Sequence, residues 1–329
     1  MENQQPPLLN TTDPYETLKI VYNANDDTLT RLYPIPCTAA TGDHHNLPII
    51  TKDICLNTTH KTWLRLFIPT EPPPSPNSLP LIIYFHGGGF VLCSAANTLF
   101  HDFCARIAAD LPAVVASVEY RLAPERRLPA AYEDAVEAVN WVREHGIKEK
   151  WTRDFVDFSK CYLMGNSSGG NIAYRAGLRC GSLDLEPVKI VGLVLIQPYF
   201  GGVERSESEM RLANDGHFPL VVNDLMWELA LPRGADRDHE YCNPMVAGAQ
   251  WEKIGKCFVS VRGGDPVMDR QIALARRLEG EGVKVESWFE EEGYHGIELF
   301  DPVKASELLL KLKHFICPPE AAEYRVVEK

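Results

Sequence analysis

Gly165-Asn166-Ser167-Ser168-Gly169-Gly170 sets a serine in a Gly-x-Ser-x-Gly frame. Cys161-Tyr162-Leu163-Met164 before it is a short apolar run that reads as a strand, and Asn171–Leu178 after it reads as a helix start. A serine at the tip of a strand-to-helix turn has its hydroxyl exposed, with helix amides behind it that favour developing negative charge. Such a turn is too tight for side chains at its flanks, which accounts for Gly165 and Gly169. The chemistry this suggests is nucleophilic attack by Ser167 on a carbonyl carbon. The plain alternative is a glycine-rich turn that merely contains a serine, and the pentapeptide alone does not separate the two.

A serine hydroxyl is a weak nucleophile and needs a base. The histidines after Ser167 are His217, His239, His295 and His314. His314 lies in the apolar-periodic helix Leu308–Ile316 and reads as a packed or surface residue, while His217 and His239 fall in or near a long excursion between strands. His295 sits in Glu292-Gly293-Tyr294-His295-Gly296, a glycine-flanked loop after a strand, and is the favoured base. An acid that holds one imidazole tautomer is needed between them. Asp265 follows the strand 257–261 directly, in Val261-Arg262-Gly263-Gly264-Asp265-Pro266. Asp269 competes, but it stands where a helix begins and suits a capping or first-turn carboxylate. Upstream, His86-Gly87-Gly88-Gly89-Phe90 ends an apolar strand. Its glycines let the backbone turn amides toward a substrate, and a loop of this type completes an oxyanion hole with the amide after the nucleophile, here Ser168. A flexible turn is the alternative. A Walker phosphate loop is excluded because no Gly-Lys-Ser/Thr follows.

These groups need a frame. Residues 48–56 and 62–68 read as two strands, the second alternating like a half-exposed antiparallel edge. Residues 71–78 are a proline-rich surface loop. From Leu81 onward continuous apolar runs alternate with helical patterns. The strands are 81–85, 114–118, 161–164, 190–196, 257–261 and 283–289, and the helices fall near 100–111, 129–145, 171–178, 269–281 and 302–316. That alternation predicts an α/β fold with a mostly parallel sheet covered on both faces. Residues 203 to about 240 exceed what a crossover needs and hold two helical patterns, at 207–213 and 221–231. They read as an insertion above the sheet, where ligands bind in open α/β folds. Residues 1–45 are polar, proline-bearing and weakly patterned, either a tail or a flap.

The chain has 329 residues, 45% hydrophobic and 24% charged, which allows one large soluble α/β domain. Lys and Arg number 33 against 45 Asp and Glu, a net charge of −12 spread without blocks, so neither nucleic acid nor an anionic membrane is an expected partner. Nine scattered cysteines form no C-x-x-C pair, and neither a signal-peptide pattern nor a membrane-spanning apolar run is visible. A reducing, cytoplasmic setting follows, in which the sequons at Asn10, Asn57 and Asn166 are coincidental.

Taken jointly, His86–Phe90, Tyr120-Arg121-Leu122-Ala123-Pro124-Glu125, Gly165–Gly170, Asp265-Pro266-x-x-Asp269 and Tyr294-His295-Gly296 resemble the hormone-sensitive-lipase class of α/β hydrolases. Within that class the chain resembles plant carboxylesterases, relatives of the gibberellin receptors, from about residue 48 to the C-terminus. The resemblance implies Ser167 as nucleophile with Asp265 and His295 as partners, and an oxyanion hole from the amides of Gly88, Gly89 and Ser168. It implies a cap built from the N-terminal segment 1–45 and the 203–240 insertion over a catalytic domain, 46–329. The expected activity is a serine carboxylesterase that needs no metal or organic cofactor. It would act on short-acyl esters of small or bulky plant-metabolite alcohols, as a monomer or homodimer. The rivals on the same fold are a hormone-like ligand receptor, which in this family lacks the histidine, and a non-hydrolytic lyase or cyclase. One departure is Asn166, where the family usually has aspartate. Ser168 stands where alanine is frequent, and contributes only its amide.

Overall fold

The computed structural model describes residues 13–42, 47–71, 75–246 and 254–318. The apolar runs fold as strands and order themselves into one eight-stranded sheet. In chain order the strands are β3 (Ile49–Asn57), β4 (Thr62–Pro69), β5 (Leu79–Phe85), β6 (Val114–Glu119), β7 (Val156–Asn166), β8 (Ile190–Ile196), β9 (Lys256–Arg262) and β10 (Lys284–Glu290). They lie side by side as β10-β9-β8-β7-β5-β6-β4-β3. The strands from β10 to β6 run parallel, and β4 and β3 are antiparallel additions. The successive residues of β5 explain its unbroken apolar run, because they feed opposite faces. Leu81, Ile83 and Phe85 pack on one side, and Ile82 and Tyr84 on the other. Helices α2 (Thr98–Asp110) and α8 (Pro302–Ile316) cover the second face, while α3 (Ala130–Trp141), α4 (Ser168–Cys180) and α7 (Met268–Gly280) cover the first.

The crossovers from β5 lead to β6 on one side and then across to β7 on the other. Strand order therefore reverses between β5 and β7, which opens a crevice at their C-terminal ends. The loop after β5 carries Gly88 and Gly89, and the turn after β7 carries Ser167.

Several expectations need correction. The strand at 62–68 is no half-exposed edge: β4 is the second strand in, between β3 and β6, and it is largely buried. Its polar residue Arg65 is only 2% exposed because Asp53 on β3 accepts from it twice, at 2.6 and 2.8 Å, and Thr38 O accepts at 2.6 Å. The helix expected over 129–145 is α-helical only to Trp141 and closes in a π turn over Val142–Gly146. β7 begins at Val156, ahead of the apolar run at 161–164.

The N-terminal segment also holds more structure than its polarity suggests. It forms α1 (Pro14–Leu18) and a hairpin of β1 (Ile20–Asn23) and β2 (Thr28–Arg31). Asp13 caps α1 at the Tyr15 amide, and proline occupies the first turn. At the hairpin turn, hydrogen bonds from Arg127 hold the Asp27 carboxyl down at about 2. Residues 1–12 and 43–45 of this segment, and 72–74 of the proline loop, lie outside the described residues. The insertion carries α5 (Glu207–Arg211) and α6 (Leu220–Ala230), and α1 packs against α6. Among the described residues no helix is long and apolar enough to cross a membrane.

Candidate active site

Ser167 sits at φ 55° and ψ −121°, a left-handed conformation that a serine adopts only under constraint. The constraint is visible in its backbone bonds. Its N–H donates to Ile196 O at 2.9 Å, and its carbonyl accepts from Asn171 N at 3.2 Å and Tyr199 N at 2.9 Å. The helix behind it packs so closely on β5 that a Cβ at Gly169 would overlap Phe85 O. Asn166 is buried and accepts from Tyr84 Oη at 2.5 Å, so this position holds a neutral amide in an apolar wall.

The three residues expected to share a proton path come together. His295 Nε2 lies 2.8 Å from Ser167 Oγ, and His295 Nδ1 lies 2.7 Å from Asp265 Oδ2. With Nδ1–H donating to the carboxylate, Nε2 is left to accept from the serine hydroxyl. Asp265 is fully buried, and donors offset the cost of burying it. Gln271 Nε2 donates to Oδ2 at 2.8 Å, Gln197 Nε2 to Oδ2 at 3.0 Å, and Val267 N to Oδ1 at 3.0 Å. Burial works to lower the His295 pKa. The Asp265 charge and hydrogen bond, aided by Glu298 and Asp215, outweigh it and raise the pKa above its ordinary value.

Asp269 does not approach the histidine. It is a first-turn carboxylate of α7, as expected, and its Oδ2 accepts from Ser208 N at 2.7 Å, which ties α7 to the insertion. His314 Nδ1 donates to Leu310 O on an exposed face, and His239 packs edge-on to Tyr241. His217 stacks on Tyr294 at 4.0 Å, and Phe218 beside it stacks on His295 at 4.6 Å. Two adjacent insertion residues thus lie on two adjacent residues of the histidine loop. The sequence offers Phe218 as one of several apolar residues of the insertion, but neither its stacking on His295 nor Gln197 could be read from it, since contacts across such separations leave no local pattern.

The glycine loop is braced from three sides. Buried His86, whose pKa burial pushes down to about 4, donates from Nδ1 to Gly87 O at 2.7 Å. Tyr120 Oη donates to His86 O at 2.8 Å, and Arg31 Nε from β2 donates to Val91 O at 2.8 Å. Gly88 has φ 114°, and a Cβ there would overlap Leu92 O. Gly88 and Gly89 line a cavity of about 190 Å³ with Ser167, His295, Phe218 and Met226. A neighbouring cavity of about 390 Å³ runs beneath the N-terminal segment, along Leu18, Tyr33 and Leu92, and shares Cys93 with the first. Hollows of about 280 Å³ beside Gly177 and about 340 Å³ beside Trp151 contain none of the expected residues. Among the described residues, His60, Asp134 and Glu137 have the spacing of a metal ligand set. They lie apart from the Ser167 cavity, and Asp134 is already paired with Arg121 at 2.6 Å.

A family model described as the alpha/beta hydrolase fold matches residues 82–299. A 3-O-acetylpapaveroxine carboxylesterase of Papaver somniferum is 52% identical over 322 residues, covering 94% of this chain and 98% of that protein. A gibberellin receptor of Arabidopsis thaliana is 39% identical over 222 residues, 66% of this chain and 60% of the receptor. Among solved structures, an esterase of Pyrobaculum calidifontis superposes with a TM-score of 0.71 at 27% identity, covering 83% of this chain and 86% of that one. Strand order, the elbow turn and these similarities agree: the chain belongs to the α/β-hydrolase family, among the plant carboxylesterases, a group of carboxylic ester hydrolases.

Proposed function

We propose that the chain is a serine carboxylesterase that works through an acyl-enzyme on Ser167. The observation that carries this reading is the continuous path from Ser167 Oγ through His295 to Asp265, at 2.8 and 2.7 Å, ending on a serine held in a left-handed turn. Ser167 Oγ attacks the ester carbonyl as His295 Nε2 takes its proton. The oxyanion is held by the amides of Gly88, Gly89 and Ser168, with α4 adding the positive end of its dipole. His295 returns the proton to the leaving alkoxide, which departs as the alcohol. Water then attacks the acyl carbon while His295 takes its proton, and Ser167 regains a proton as the carboxylic acid leaves. Asp265 keeps the imidazole in one tautomer and stabilises the imidazolium. The placement of His295 against Ser167 favours this chemistry over a ligand receptor.

The two cavities suggest which side of the ester goes where. The acyl group enters the 190 Å³ space under Phe218 and Met226, well below the roughly 300–1,000 Å³ of a site for drug-sized ligands. Acetate to butyrate fits there, and long chains do not. The alcohol extends past Cys93 into the larger space beneath Leu18 and Tyr33, which suits bulky plant-metabolite alcohols. The Papaver relative, named for an acetyl ester, points the same way. The N-terminal segment and the insertion would then be the cap. Nine unpaired cysteines suit a reducing compartment such as the cytoplasm.

The test is hydrolysis of p-nitrophenyl esters from acetate upward, with Ser167→Ala as control, and peptide mapping after an organophosphate. Activity should peak at short acyl chains, vanish in Ser167→Ala, and end with one adduct on Ser167. Labelling of another serine, or intact activity in Ser167→Ala, rules the assignment out.

A further inference from the structure

Gln197 is the first residue after β8, next in space to the elbow, since Asn166 pairs with Ile196 in the sheet. Its φ is 42°, so it too is a non-glycine residue in the left-handed region. Two such residues side by side, Ser167 and Gln197, end neighbouring strands. A local outlier of this kind persists where surrounding contacts over-determine it. At Gln197 the backbone N–H donates to Ser260 O at 3.1 Å, and the side-chain contacts are with Asp265 and the His295 loop. The side chain is buried, and both ends of its amide are engaged. Nε2 donates to Asp265 Oδ2 at 3.0 Å and to Tyr294 O at 3.1 Å, while Oε1 accepts from Gly296 N at 2.8 Å. Tyr294 and Gly296 are the two neighbours of His295. One amide therefore grips the acid and both flanks of the base.

We infer that Gln197 is a positioning residue for ester hydrolysis, setting the distance between Asp265 and His295 and fixing the loop on which His295 rides. This rests on the assignment of Ser167, Asp265 and His295 above. The geometry asks for two donors and an acceptor on one planar group at this reach. Glutamate lacks the donors, lysine lacks the acceptor, and asparagine is a methylene short. The bond to Asp265 has an electrostatic side as well. Oδ2 already receives His295 Nδ1 and Gln271 Nε2, so Gln197 is a third donor drawing on the same oxygen. Without it, more of the carboxylate's charge faces the imidazolium. The other charged groups around His295 are Glu298 and Asp215, and the substitution leaves both in place.

The experiment compares full-length Gln197→Met with the parent enzyme on p-nitrophenyl acetate across pH, alongside thermal midpoints and the rate of Ser167 phosphorylation by an organophosphate. Methionine keeps the volume and removes every side-chain hydrogen bond. The expected result is a loss in kcat on the order of 10²-fold, the scale of a misplaced catalytic group, with KM within about twofold. The phosphorylation rate should fall in parallel, and the acid limb of kcat/KM should move to higher pH because the imidazolium is better stabilised. A folded Gln197→Met enzyme with kcat within threefold of the parent and an unmoved acid limb overturns the inference, as does a loss confined to KM. If the methionine variant does not fold, Gln197→Asn carries the same test, because its shorter amide cannot span both loops. Ser167→Ala is assayed in parallel. If it stays active, the esterase reading itself fails, whereas an inactive Ser167→Ala beside an unaffected Gln197 variant overturns only this inference.

Discussion

Ser167, Asp265 and His295 each stand in a short glycine-flanked loop after a strand, at one end of the sheet. Asp265 reaches His295, whereas Asp269 turns to the Ser208 amide. Asp265→Asn should lower kcat on the order of 10⁴-fold, the cost of the wrong imidazole tautomer in serine proteases. Asp269→Asn should cost about 1 kcal/mol of stability or less and little rate, since an amide oxygen still accepts from Ser208. Steady-state kinetics and thermal denaturation of the two variants measure this, and equal kinetic losses, or the reverse order, would refute the choice of Asp265. What the sequence hid at this scale is the shell around the proposed triad. Gln197 and Phe218 lie 98 and 77 residues from His295 in number, yet one bonds both neighbours of His295 and the other stacks on its ring. A lone glutamine after a strand, or a phenylalanine in an insertion, carries no local mark of such a partnership.

At the scale of elements, period and length made the parallel strands and their helices readable, while burial of a charged residue misled. Arg65 made β4 look amphipathic, because no local rule anticipates that Asp53 and Thr38 would satisfy a guanidinium inside the sheet. The hairpin of β1 and β2 escaped notice for a related reason. Its four-residue strands are too short to show alternation, and Asp27, Arg31, Arg127 and Glu125 hold it by charge pairs, with little core of its own. Of the large apolar residues in the insertion, Leu225, Trp227 and Leu229 pack onto the body, and Trp227 stacks on Tyr199 at 4.5 Å. Phe218 and Met226 belong to the same core and also reach the cavity. Removing residues 1 to about 30 should therefore raise KM for esters of bulky alcohols or abolish activity, while the sheet stays folded. Circular dichroism and KM on a series of alcohols measure this. An unchanged enzyme would make the segment a mere tail.

For the whole molecule, the reversal of strand order between β5 and β7 explains why residues from four separate loops converge at one end of the sheet. That convergence was implied by strand-helix alternation alone. The route by which the N-terminal segment joins it was not. Arg31 on β2 donates to Val91 O beyond the glycine loop, to Ala123 O and to both oxygens of Glu125. A single guanidinium thus belongs to the hairpin and to the backbone that carries Gly88 and Gly89. Free energy that a tetrahedral adduct gains by ordering that backbone is shared with the hairpin, and thermodynamic linkage makes the sharing mutual. A phenylboronic acid seated on Ser167 should therefore slow tryptic cleavage after Arg31, by the factor with which an anchored hairpin tightens the inhibitor. Cleavage at equal rates in free and inhibited enzyme would mean that the hairpin and the proposed oxyanion hole behave as strangers in one fold.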